Sequence, residues 1–124
     1  MKLPGPDHPI TVEASPHRVR VRFNGRTVAD SKHALVLRES SYRPVFYIPR
    51  ADADMAMLES TSHASHCPYK GDASYFSIHA GDRVATNAVW SYAEPFPAVA
   101  QISGYLAFYP DRVDAIEEVG EGTP

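Results

Sequence analysis

The sequence predicts a mainly β fold, a small antiparallel sheet or open barrel with one short helix, and three observations carry that reading. Arg18-Val19-Arg20-Val21-Arg22-Phe23 alternates strictly between charged and apolar residues. Successive side chains of a strand point to opposite faces, so this is the pattern of a half-buried strand. Asn24-Gly25 follows at once, a strong hairpin signal because a tight two-residue turn needs positive φ at both positions. Beyond it, prolines and glycines cut the chain into short apolar runs of strand length, with no stretch long enough for a packed helix layer.

The elements follow in order. Pro4, Pro6, Pro9 and Pro16 oppose regular structure over 1–17, which is expected to be an extended arm anchored by Ile10 and Val12. A single β-rich domain is expected over 18–116, opening with the strand Arg18 to Phe23 and its hairpin partner Arg26 to Ala29. Ala34 to Arg38 and Val45 to Ile48 are further short strands, the latter bounded by Pro44 and Pro49. Asp52 or Asp54 is placed to cap a short helix through Met55, Met57 and Leu58. A loop from His63 to Asp72 leads to strands at Ala73 to Ile78, Val84 to Tyr92 and Ile102 to Tyr109. The acidic tail, 117–124, is expected to pack poorly.

Bulk properties narrow the function classes. The chain has 124 residues, 44% of them hydrophobic and 22% charged, a composition suited to one globular domain. A net charge of −3 gives no basis for nucleic-acid binding. No apolar run approaches the roughly 20 residues of a membrane helix, and the amino end lacks the apolar stretch of a signal peptide. Cys67 is the single cysteine, so no internal disulfide is possible. Together these features predict a cytoplasmic protein without nucleic-acid or membrane partners; oligomeric state stays open.

Two regions carry candidate chemistry. Apart from Phe23, every aromatic residue falls between Tyr42 and Tyr109. Rings suit strands and cores, yet Tyr47, Tyr75, Trp90 and Tyr92 also bring polar tips that need partners when buried, and such rings commonly wall small-molecule sites. The segment His66-Cys67-Pro68-Tyr69-Lys70-Gly71 places a thiol three residues from an ammonium. Cys67 is therefore a candidate nucleophile or a small buried thiol, and Lys70 a candidate anion clamp or the partner of a carboxylate. Glu39, at a strand end, is a candidate general base or a solvated carboxylate.

Other patterns are weaker. His63, His66 and Cys67 offer three metal ligands where structural zinc needs four, so no metal and no cofactor are expected. Asp52 and Asp54 sit at the spacing of a magnesium pair, but they open a helix, where their side chains should diverge. Arg18, Arg20 and Arg22 read as the wet face of a strand or, more sharply, as an anion site.

Several blocks together resemble domain-of-unknown-function family 427, also labelled nucleotidyltransferase-like. They are Cys67-Pro68-Tyr69-Lys70-Gly71-Asp72-Ala73-Ser74-Tyr75, Ala88-Val89-Trp90-Ser91-Tyr92 with Pro95, and Ile102-Ser103-Gly104-Tyr105-Leu106-Ala107-Phe108-Tyr109. Gly5 to Ile10 and Tyr47 to Arg50 are also similar to it. The resemblance implies a compact β-tent, shared with methionine sulfoxide reductase B and the Mss-four-like proteins. Those relatives commonly hold zinc through two Cys-x-x-Cys pairs, which a chain with one cysteine cannot supply. Carried onto this chain, the family motif singles out Glu39, Tyr47, Cys67, Lys70, Trp90 and Tyr92.

Three functions follow in order. The first is binding of a small polar or anionic ligand, still unidentified, in a pocket of Tyr47, Trp90 and Tyr92 with Lys70 and Glu39. The second is a thiol-dependent enzyme with Cys67 as nucleophile. The third is nucleotidyl transfer.

Overall fold

A computed structural model describes residues 1–120 of the chain. Among the described residues, ten strands build three antiparallel sheets. The first joins β1 (Ile10–Ala14), β4 (Leu35–Glu39) and β5 (Val45–Tyr47) in the order β1-β4-β5. The second joins β2 (Arg18–Phe23), β3 (Arg26–Ser31) and β10 (Ala115–Val119) in the order β10-β2-β3. The third joins β6 (Leu58–Cys67), β7 (Gly71–Ala80), β8 (Arg83–Ser91) and β9 (Leu106–Phe108) in chain order. The backbones of Ile48 and Leu106 exchange hydrogen bonds of 2.7 and 2.8 Å, which link the first sheet to the third between β5 and β9.

The β2–β3 hairpin forms as its sequence dictates. Asn24 and Gly25 have φ of 51° and 73°, the left-handed pair that a turn matched to strand twist requires. Val19, Val21 and Phe23 are buried, and the arginines between them are half-buried. Arg18 grips Asp30 with two bonds of 2.6 Å, so this part of the arginine stripe is occupied by a carboxylate of the neighbouring strand.

Period-two alternation divides the structure into two apolar layers. Val19, Val21, Phe23 and Val28 of the second sheet pack against Ile48, Ile78, Val89, Leu106 and Phe108 from one face of the linked sheets. The opposite face gathers Leu37, Tyr47, Tyr75, Tyr92 and Ala107. Val99 and Ile102, from the kinked 3-10 segment Pro97–Ile102, are fully buried in that second cluster.

Several expected elements differ. Part of the supposed arm is a strand: β1 pairs with β4 from Ile10–Glu39 to Ala14–Leu35. The prolines flank this run rather than interrupt it, and Ile10 and Val12 pack on the second cluster. The loop expected from His63 is instead strand β6 as far as Cys67. Its burial pattern is polar and mostly exposed because it is an edge strand, which hides the apolar alternation that sequence reading relies on.

The short helix near Met55 is a single 3-10 turn, Met55–Met57, capped by Asp54, whose carboxylate accepts the Ala56 N–H. The strand expected from Ile102 to Tyr109 runs only from Leu106 to Phe108, as β9. Residues 117–119 of the supposed tail belong to β10, where Ile116 pairs with Val21 and packs on the first cluster; residues 121–124 lie outside the described residues. No helix among the described residues is long and apolar enough to cross a membrane.

Because β1 closes the edge of β4 and lays Ile10 and Val12 on the second cluster, deletion of residues 1–16 should lower Tm by at least about 5 °C. A superimposable thermal unfolding curve would show that β1 adds nothing to the fold.

Candidate functional site

The second apolar face does not close completely. A cavity of about 240 Å³ remains on it, and Glu39, Tyr47, Lys70, Trp90 and Tyr92 all line it. Register explains the convergence. Leu37 and Glu39 project from one face of β4, and Leu37 pairs with Val45, two residues before Tyr47 on β5. Tyr75 pairs with Trp90 across β7 and β8, and Trp90 pairs with Ala107 across β8 and β9. Directly paired residues share a sheet face, so rings distant in sequence meet on one side.

Lys70 arrives from the hairpin between β6 and β7. Gly71 makes that turn possible with φ of +114°, a conformation other residues rarely adopt. The Lys70 carbonyl accepts the Phe96 N–H at 2.9 Å, and the Pro68 carbonyl accepts the Lys2 N–H at 2.7 Å. The hairpin is therefore pinned on two sides.

The polar centre is an ion pair set into an aromatic wall. Lys70 Nζ donates to Glu39 Oε1, and the other carboxylate oxygen bonds His8 Nε2 at 2.7 Å. The Lys70 and Glu39 side chains are only 12% and 11% exposed. Burial pushes the Glu39 carboxyl up, but hydrogen bonds from Lys70 and then His8, with their charges, outweigh it and hold the group below its ordinary value. The His8 ring is stacked on Tyr69 of the hairpin, with centroids 4.0 Å apart.

The rings form their own network. Trp90 Nε1 donates to the Tyr47 hydroxyl at 3.3 Å, and the two rings meet edge to face at 6.3 Å. Ser65 Oγ bonds the Tyr75 hydroxyl at 2.8 Å, and Tyr75 bonds the Tyr109 hydroxyl at 3.2 Å. Desolvation raises all the shifted phenols: Tyr47 and Tyr92 stay protonated well beyond the usual range, and Tyr109 is pushed up to about 12. The cavity walls thus offer neutral hydroxyls at ordinary pH. The Tyr92 hydroxyl makes no hydrogen bond to a described residue, so it is available to a ligand.

Cys67 is the sequence candidate that does not line the cavity. It ends β6 half-buried, packed against the Tyr47 and Tyr92 cluster. His63 and His66 are committed elsewhere, His63 edge-on to Tyr75 and His66 bonded to Asp72 at 2.7 Å. Among the described residues no group of three or more His, Cys, Asp or Glu side chains is placed to hold a metal ion. Asp52 accepts from Ser31 Oγ at 2.6 Å while Asp54 caps its turn, so the two carboxylates serve different local structures.

Tyr75, one of the polar-tipped rings singled out in the sequence, does line the cavity; sequence reasoning missed His8, Ser65, Tyr109 and the exposed pair Tyr42 and Arg43. The Tyr75–Trp90 pairing was accessible in principle, since both rings lie on predicted adjacent strands. His8 was hidden because it reaches Glu39 from a segment expected to carry no regular structure.

If the ion pair holds the site together, its contribution must depend on pH in one direction. A folded carboxyl held below its unfolded value adds stability above the unfolded pKa, near 4.5, and loses it as pH falls through the folded value. Glu39→Gln should therefore cost about 1–3 kcal/mol at pH 7, and the deficit should shrink steadily below pH 4.5. Urea unfolding across pH checks this; a deficit constant with pH would assign the loss to packing. Gly71→Ala should cost about 1–3 kcal/mol through backbone strain alone, read by the same measurement.

The family model described as "Domain of unknown function (DUF427)" matches residues 11–119. No curated protein matches the chain. With nearly its whole length matched, the chain belongs to this family.

Proposed function

We propose that this family member is a binding domain for a small polar or anionic ligand, seated in the aromatic cavity and oriented by Lys70 and Glu39. The observation that carries the reading is a nearly buried Lys70–Glu39 pair opening on a cavity walled by Tyr47, Trp90 and Tyr92. Burying two charges costs desolvation that their attraction roughly offsets, so such a pair is a poor device for stability. It is a good device for recognition, because a ligand can exchange with either partner in a site already stripped of water. The Lys70 ammonium uses one donor on Glu39 and bonds no other described residue, which leaves donors for an anion. The Trp90 and Tyr109 rings, with centroids 4.5 Å apart, suit the flat part of a ligand.

The place of Cys67 outside the cavity lining favours this reading over thiol chemistry at the same site. The divergent Asp52 and Asp54 lend no support to nucleotidyl transfer.

A thermal-shift screen over nucleotides, cofactors, sulfoxides and small aromatic carboxylates tests the proposal, since a ligand present at 100 times its Kd stabilises by about 2.7 kcal/mol. Lys70→Ala and Trp90→Ala should each weaken the hit at least tenfold, while Cys67→Ser should change Kd less than twofold. Loss of binding in Cys67→Ser with retention in Lys70→Ala would move the site to the thiol.

A further inference from the structure

The aromatic cavity, at about 240 Å³, is smaller than the roughly 300–1,000 Å³ usual for small-molecule sites. A second cavity of about 480 Å³ adjoins it, and Arg43, Val45 and Trp90 line both. The second space exists because β5 and β9 pair only at the Ile48–Leu106 bridge. Beyond the bridge, Phe46 and Phe108 line the cavity instead of pairing with each other, and Ile116 of β10 forms the facing wall.

We propose that the two cavities are head and tail compartments of one site for a linear amphiphile with a single anionic head, of the fatty-carboxylate class. The proposal rests on the reading of the aromatic cavity as a ligand site and extends it. The head compartment carries the polar groups: Lys70, Glu39 and the unbonded Tyr92 hydroxyl. The tail compartment is apolar apart from Arg43 and Glu118 at its lining. Arg43 is exposed, lines both spaces and makes no hydrogen bond or ion pair with a described residue. A carboxylate at the junction gains that guanidinium without displacing an existing partner. Glu39 does not repel it, because Lys70 and His8 already engage both carboxylate oxygens. Each methylene buried beyond Trp90 tightens binding by roughly fourfold.

Trp90 is the only tryptophan of the chain and touches both compartments, so its fluorescence reports either one. The full chain is titrated with decanoate below its micellar concentration, with benzoate as a probe of the head compartment alone, and with decanol. Decanoate should bind at least a hundredfold more tightly than benzoate. Arg43→Ala should weaken decanoate at least fivefold and leave decanol unchanged. Ile116→Asp, its fold checked by circular dichroism, should weaken decanoate at least tenfold and benzoate less than twofold; should that variant fail to fold, the Arg43→Ala comparison still decides. Benzoate binding no weaker than decanoate would overturn the two-compartment inference and leave the aromatic site intact. Absence of binding by all three probes, together with an empty thermal-shift screen, would overturn both. An Arg43→Ala variant that binds decanoate as the wild type does would remove the anionic head from the proposal.

Discussion

A β-sheet has two faces, and each apolar face must be covered or left to water. In this chain the linked first and third sheets expose apolar residues on both sides, but only one second sheet is available to cover them. The β10-β2-β3 sheet takes one face and makes the main core. The other face is covered piecemeal, by Val99 and Ile102 at one end and by Ile10 and Val12 at another. The remainder is walled by tyrosines and a tryptophan, side chains that tolerate contact with both carbon and water. The aromatic cavity is thus the uncovered part of that second face.

That arrangement explains why polar chemistry collects where it does. Glu39 lies at the end of β4, where its carboxylate would be stranded on an apolar face without a partner. Two segments far from it in sequence supply one: the Cys67–Gly71 hairpin brings Lys70, and the residues before β1 bring His8. The stacking of His8 on Tyr69 ties those two segments to each other as well. The electrostatic centre, the hairpin and the amino-terminal segment therefore form one unit.

Legibility in the sequence followed the strength of local signals. β2 was plain because charged and apolar residues alternate without exception, and its turn because Asn-Gly has few other uses. β6 was hidden because an edge strand with both faces wet has no apolar period to read. β1 was hidden because prolines at its flanks mask a run of five residues whose hydrogen bonds all come from β4. At the site, Lys70, Trp90 and Tyr92 were legible from a compact motif and a two-residue spacing. Arg43 and His8 were not, since their importance lies in what the sheet order places beside them.

The second sheet has a consequence for how the chain reaches this structure. β10 pairs with β2, so an early strand waits for a segment that emerges much later. Until then β2 keeps one edge unpaired, and the core side of its hairpin meets an incompletely covered sheet. Pairings this distant along the chain pay loop-closure entropy before any contact rewards it, which slows folding and lengthens the life of sticky partial structures. Arg18, Arg20 and Arg22 project from one face of that strand, and charges on a strand with an open edge commonly protect it against joining a neighbour. The charged face of β2 thus disfavours edge-to-edge association of the partly folded chain as well as solvating the finished one.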